Sequence, residues 1–224
     1  MKVSEALDTR ITCRAYTDQP VEAEKINRIL KSAARSPSGG NLQPWHVWAI
    51  GGEKLAEFRS IVQSKIVDNP FGDGATEYDI YPKELSEPYK ARRAKCGEDM
   101  YASINVARED KEGRQKHFNR NFDLFGAPAA MFFAIDRQMG LGQWSDLGMY
   151  IQSIMLMARE EGLHTAPQEA WALWYKTIGE FLGIPDNLMF FCGMGIGYMD
   201  ENAPINTLRT DRADFNEYAH IEGF

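Results

Sequence analysis

The first long periodic stretch runs over residues 21–35, where Val21, Ile26, Ile29, Leu30, Ala33 and Ala34 recur at helical spacing between Pro20 and Pro37. Residues 45–50, "WHVWAI", are aromatic and β-branched enough for a buried strand. Residues 53–67 return to a helical pattern through Leu55, Phe58, Ile61, Val62 and Ile66. From Asp68 to about Pro88 the periodicity stops and turn signals take over, in "NPFGDG" and "YPKELSEP". Residues 89–122 are charged with sparse apolar positions, the pattern of exposed helices covering something else. "APAAMFFAID" predicts a second buried strand, and 145–161 a helix apolar on most faces, hence buried in a core or a subunit interface. A further helix is expected over 173–182 and a third strand at "LMFFCGMGIGY". The tail from Asn202 onward has no strong period and is expected to wrap over another surface. Helices alternating with single strands predict an α/β or α+β chain with one sheet. No repeat or domain boundary interrupts it, so 1–224 reads as a single domain with an insertion at about 68–125.

Composition narrows the partners. Hydrophobic content of 44% with 12% aromatics supports a sizeable core. A formal charge of −7 argues against nucleic acid as a partner. "MKVSEALDTR" has no apolar signal-peptide core, and no run approaches the ~18 apolar residues of a membrane span, so neither is expected. Cys13, Cys96 and Cys192 are far apart without CxxC spacing, which suits free thiols in a reducing cytoplasm. The four histidines show no ligand-like pairing, and no metal is expected.

Several short stretches carry candidate chemistry. In "ARSPSGGNLQPWHVWAI", seven of the eight residues from Ser36 to Gln43 are small, polar or proline. That turn is longer than the usual connection of about 2–6 residues. Pro37 stops the helix, Gly39 and Gly40 permit close backbone approach, and Ser38 and Asn41 offer hydrogen bonds. "CGMGIGY" is not a dinucleotide loop, because Tyr198 stands where the last glycine should be and "DENAP" replaces the helix. Its glycines are expected to allow close packing at a strand end. "RITCR", if extended, turns Arg10, Thr12 and Arg14 to one face, giving either a solvated basic edge or two guanidinium forks and a hydroxyl for an anion. Arg209 and Arg212 form a second pair that alone reads as surface; a cofactor phosphate would unite the two. In "TAPQEA", Pro167 fixes a turn, and Gln168 and Glu169 serve a plain connector or a ligand-facing loop. Trp171, Trp174 and Tyr175 read as core or interface packing.

Taken in order, these pieces resemble the FMN-dependent nitroreductase family over essentially the whole chain: Arg-x-Thr-x-Arg near the start, "RSPSGGNLQPW", "GLHTAP", and the C-terminal Arg-Thr-x-Arg. Thr12 stands where serine is more usual and keeps the hydroxyl. Ile11 lies within the same cofactor-binding motif at a position that is often basic, which removes one phosphate contact.

The resemblance implies an α+β fold in three α-β-α layers, with a central mainly antiparallel sheet flanked by helices. It also implies an intertwined homodimer with exchanged C-terminal tails and FMN at the interface. Arg10 and Thr12 with Arg209 and Arg212 would hold the phosphate. Arg14 would lie at the pyrimidine edge, its permanent charge stabilising the reduced flavin. Pro37, Ser38, Gly39 and Asn41 would approach from the partner subunit, and Pro167, Gln168 and Glu169 would line the dimethylbenzene or N5 side. No side chain need act as a nucleophile. The implied reaction is ping-pong: NADPH or NADH gives a hydride to flavin N5, then a small nitroaromatic accepts two electrons at a time, reaching nitroso and hydroxylamine. Quinones, enones or halogenated phenols are alternative acceptors, and a non-catalytic flavin-binding sensor is the alternative of another class. The 68–125 segment, with Tyr81, Tyr89, Arg92, Arg93 and Tyr101, would form the lid; the two arginines otherwise read as a solvated helical face.

Overall fold

Four strands, β1 (Trp45–Gly51), β2 (Ala129–Asp136), β3 (His164–Gln168) and β4 (Leu188–Gly197), make one antiparallel sheet in the order β1-β2-β4-β3. They are seen in a computed structural model that describes residues 1–224. The helices are α1 (Val3–Thr9), α2 (Ala23–Ala33), α3 (Gly52–Ile66), α4 (Tyr89–Ala102), α5 (Lys111–Asn119), α6 (Leu141–Glu160), α7 (Tyr175–Leu182) and α8 (Phe215–Tyr218). None of them is long and apolar enough to cross a membrane.

The unbroken apolar run of β2 follows from its position, covered on both faces. Met131, Phe133 and Ile135 join Cys192, Met194 and Ile196 of β4 against Ile29 of α2 and Leu147, Ile151 and Ile154 of α6. Ala130 and Phe132 face the other way, onto Leu55, Phe58 and Val62 of α3, Ile178 of α7, and Trp171 and Trp174. The result is the expected three layers. The glycines of β4 let the second layer settle onto the sheet: a Cβ on Gly193 would lie 2.5 Å from Trp171 Cδ1, and one on Gly197 would lie 2.5 Å from Pro128 Cδ.

Three elements depart from the expectations. The sheet has four strands rather than three, because residues 164–168 pair with β4 where a turn was expected. Proline is tolerated there because β3 is an edge strand, whose outward N–H groups need no ladder partner. The N-terminal α1 carried no periodic signal, since only Ala6 is buried. The helix expected over 145–161 begins at Leu141 and buries one face; Leu141 and Met149 on its other side are exposed.

Residues 68–88 contain no helix or strand, as expected, yet the first part is pinned down. Asp73 accepts hydrogen bonds from the backbone and hydroxyl of Thr177 at the start of α7 (2.9 and 2.8 Å). Glu77 accepts from the Phe190 backbone of β4 (3.2 Å) and pairs with Arg137. The Tyr78 hydroxyl donates to the Phe191 carbonyl (2.7 Å). This strap lies across β4 and α7, and α4, which follows it, buries none of its residues.

Candidate functional site

Residues 10–14 run beside β3. Thr12 bridges Thr165 in the parallel sense, and the Cys13 N–H donates to the Thr165 carbonyl at 3.0 Å. Ile11 and Cys13 point inward and are buried, so Arg10, Thr12 and Arg14 share the outer face as the alternation required. Ile11 therefore has only its backbone to offer a ligand. Asn206, buried, accepts from the Arg14 N–H (2.9 Å) and donates to the carbonyls of Ala15 and Asp200 (2.8 and 2.9 Å). That clamp brings the tail back to the first arginines. Arg212 comes close enough to repel Arg10, and Arg209 lies near His164.

The group has no counter-charge within it. None of Arg10, Arg14, Arg209 and Arg212 takes part in an ion pair. Arg209 and Arg212 donate only to nearby oxygens of the tail's own 206–211 stretch. Burial, and then Arg212, lower the pKa of Arg10, and burial lowers that of Arg14. His164 is pushed down to about 4 by burial, aided by Arg159 and Arg209. His117 is pushed down to about 4 by burial, aided by Arg120 and Arg14. Its buried Nε2 has no hydrogen-bond partner. The Arg14 guanidinium lies 6.0 Å from the ring of Phe125, whose φ of 55° is rare for so large a side chain. Uncompensated guanidinium groups around a hydroxyl are the donor set that a phosphate dianion satisfies. The residues present fit FMN.

At the other end of β3 opens a largely apolar cavity of about 590 Å³, the size of an ordinary small-molecule site. Pro167, Gln168 and Glu169 form one wall, and Phe118, Asn121 and Tyr81 lie on others. Gln168 donates through Nε2 to the Asn121 carbonyl and side-chain oxygen (2.8 and 3.1 Å), leaving its buried Oε1 unpartnered. Burial raises the pKa of the Glu169 carboxyl. "TAPQEA" is thus both a strand end and a cavity wall.

The loop at 37–41 is fastened elsewhere. The Gly39 N–H donates to Asp146 of α6 (3.1 Å), and the Ser36 hydroxyl donates to that of Ser153 (2.7 Å). Ser38 accepts from the Gln43 N–H (3.0 Å), closing a turn with φ of 57° at Gly40, 58° at Asn41 and 50° at Gln43. Pro37, Gly39 and Asn41 are exposed, and no hydrogen bond joins this loop to the arginine group of the same chain. One chain therefore assembles Arg10, Thr12, Arg14, Arg209 and Arg212 and, along β3, Pro167 to Glu169. Pro37, Ser38, Gly39 and Asn41 are presented from α6. Sequence reasoning missed His117, Asn121, Asp146 and Asn206; each is a single polar residue made special only by tertiary packing, with no spacing to reveal it.

The Nitroreductase family model matches residues 7–198, from the arginine motif through the last strand. The chain belongs to the Nitroreductase family. It is 34% identical over 216 residues to the 4-nitrobenzoate reductase of Pseudomonas putida, covering 96% of this chain and 93% of that relative. It is 30% identical to the chloronitrobenzene nitroreductase of Comamonas testosteroni, covering 96% and 95%. Among solved structures, this family member superposes on the FMN and NADPH-dependent nitroreductase NfnB of Sphigopyxis sp. strain HMH with a TM-score of 0.95 at 42% identity, over 100% of both chains. The FMN-dependent NfnB of Mycobacterium smegmatis, in complex with NADPH, shares the fold with a TM-score of 0.91 at 22% identity, over 99% and 100% of the two chains.

Proposed function

We propose that this chain is an FMN-dependent NAD(P)H oxidoreductase that reduces small nitroaromatic compounds two electrons at a time, to the nitroso and hydroxylamine levels, as a homodimer. One observation carries the reading: a group of arginines without carboxylate partners lies beside an apolar, ligand-sized cavity, and both are built on β3. Relatives named for nitrobenzoate and chloronitrobenzene support the acceptor class.

Bound FMN supplies the two-electron redox chemistry. The chain's own residues hold and tune it. Arg10, Thr12, Arg209 and Arg212 hold the phosphate through charge-assisted hydrogen bonds. Arg14 keeps a fixed positive charge at the pyrimidine edge and thereby favours the reduced form. Pro167, Gln168 and Glu169 line the side where donor and acceptor enter in turn. The cavity's apolar lining excludes water and suits an aromatic acceptor. Pro37, Ser38, Gly39 and Asn41 of a second copy complete the site, which explains why their own chain does not direct them to its arginines. Residues 68–125 act as the lid of a single 1–224 domain.

The test is a visible spectrum of the purified protein, taken before and after anaerobic NADPH and again after a nitroarene. Flavin bands that bleach with the donor and return with the acceptor are expected. A flavin that NADPH cannot bleach overturns the enzymatic reading, and a reduced flavin that no nitroarene reoxidises overturns the acceptor. A solution mass of one chain overturns the homodimer.

A further inference from the structure

Just beyond the pinned strap, residues 82–85 and α4 enclose an open groove of about 670 Å³, lined among others by Lys83, Lys90 and Arg93 with Glu84 and Glu98. Glu98 is already committed, accepting two hydrogen bonds from Arg114 at 2.9 and 2.7 Å. Lys83, Lys90 and Arg93 enter no ion pair. Three cations against the one uncommitted carboxylate, Glu84, leave two positive charges in a chain whose formal total is −7. A phosphate monoester carries about −1.5 to −2 at neutral pH, so the groove and such a group match in charge.

The groove is also joined to the cavity. The Arg93 guanidinium stacks 4.0 Å from the centre of the Tyr81 ring, and Tyr81 lines the cavity that Pro167 to Glu169 wall. The Tyr81–Arg93 stack is therefore a shared partition, with apolar space on one side and cationic space on the other. Three residues before Tyr81 the strap is held by the Tyr78 hydrogen bond to β4, which sets where the partition stands. A ligand with a flat ring at one end and a phosphate at the other spans these two compartments.

We infer that this groove is the subsite for the 2′-phosphate of NADPH, where Lys83, Lys90 and Arg93 tell NADPH from NADH. The inference rests on the NAD(P)H-dependent reading of the cavity. NADH presents a hydroxyl at that position and leaves the three cations solvated. NADPH gains charge-assisted hydrogen bonds, of which one or two are worth about tenfold or more in affinity.

Calorimetric titration of the flavin-loaded protein with NADP⁺ and with NAD⁺ reads the subsite without turnover. The expected result is that NADP⁺ binds about tenfold or more tightly than NAD⁺, and that the double variant Lys83→Gln/Lys90→Gln loses most of that ratio. Both lysines are exposed, and an unchanged melting temperature verifies that the variant is folded. Equal affinity of the unaltered protein for the two dinucleotides overturns the inference. So does a variant in which both affinities fall by the same factor, because a diffuse surface field, not a phosphate subsite, acts in that way. Failure to reduce nitroarenes, with the NADP⁺ preference intact, removes the proposed acceptor and leaves the groove assignment standing.

Discussion

Arg10 is a half-buried cation with Arg212 close by and no carboxylate to pair with. It would be an unfavourable residue in a protein with nothing to bind there. Replacing Arg10 by Ala is expected to weaken FMN retention about tenfold or more, read as the ratio of flavin to protein absorbance after dialysis. Unchanged retention would remove the phosphate assignment. The alternation of Arg10, Thr12 and Arg14 was legible because an extended segment has only two faces. The role of Asn206 was not, because its value comes from lying against Arg14, 192 residues away. The two histidines pushed down to about 4 give a pH signature. In the unfolded chain they protonate near 6.5, in the folded chain only near 4. Between those values the unfolded state binds more protons at these two groups, so their contribution to stability falls as pH drops from about 6.5 to about 4 and changes no further below that. Urea titrations across that window should show the decline, and His117→Phe should flatten it. An equal slope in the variant would mean that His117 is not held neutral.

At the level of whole elements, legibility followed burial. β2 and β4 announced themselves because sheet strands covered on both faces must be apolar throughout. α2 did so because one face packs on α6 and the other meets water. β3 was hidden for the opposite reason: it is five residues long, holds a proline, and has a ladder on one side only. α1 buries a single residue and leaves no stripe to read. The glycines of β4 were read as packing devices, and the Gly193 contact with Trp171 makes that testable. Gly193→Ala forces a methyl into a ring that is fully buried and fenced by Phe58, Phe122 and Phe132. A loss of about 1–3 kcal/mol is expected from chemical denaturation, the usual cost of overpacking. No loss would mean that Trp171 gives way freely.

Over the whole molecule, an acidic protein carries a basic group that residues 10–14 and 206–212 bring together from near the two ends of the chain, with Arg209 and Arg212 exposed. Exposed apolar side chains gather on the C-terminal segment, at Phe215, Tyr218, Ile221 and Phe224, with Leu141 and Met149 on α6. Such a distribution suits a surface that a second copy covers. On the proposed homodimer, the family loop was readable as a motif while its target was not because that target would lie on the other copy. The arginine group has a further consequence on this reading. Like charges held together without a counter-ion oppose folding, and a ligand that neutralises them stabilises the folded form by mass action. Adding FMN to stripped protein should therefore raise the melting temperature, and the rise should shrink in Arg10→Ala. In a cell, partly unfolded protein is cleared by proteases, so small losses of stability lower abundance several-fold. The concentration of free FMN would then govern how many copies of this protein survive, as well as how fast each one works.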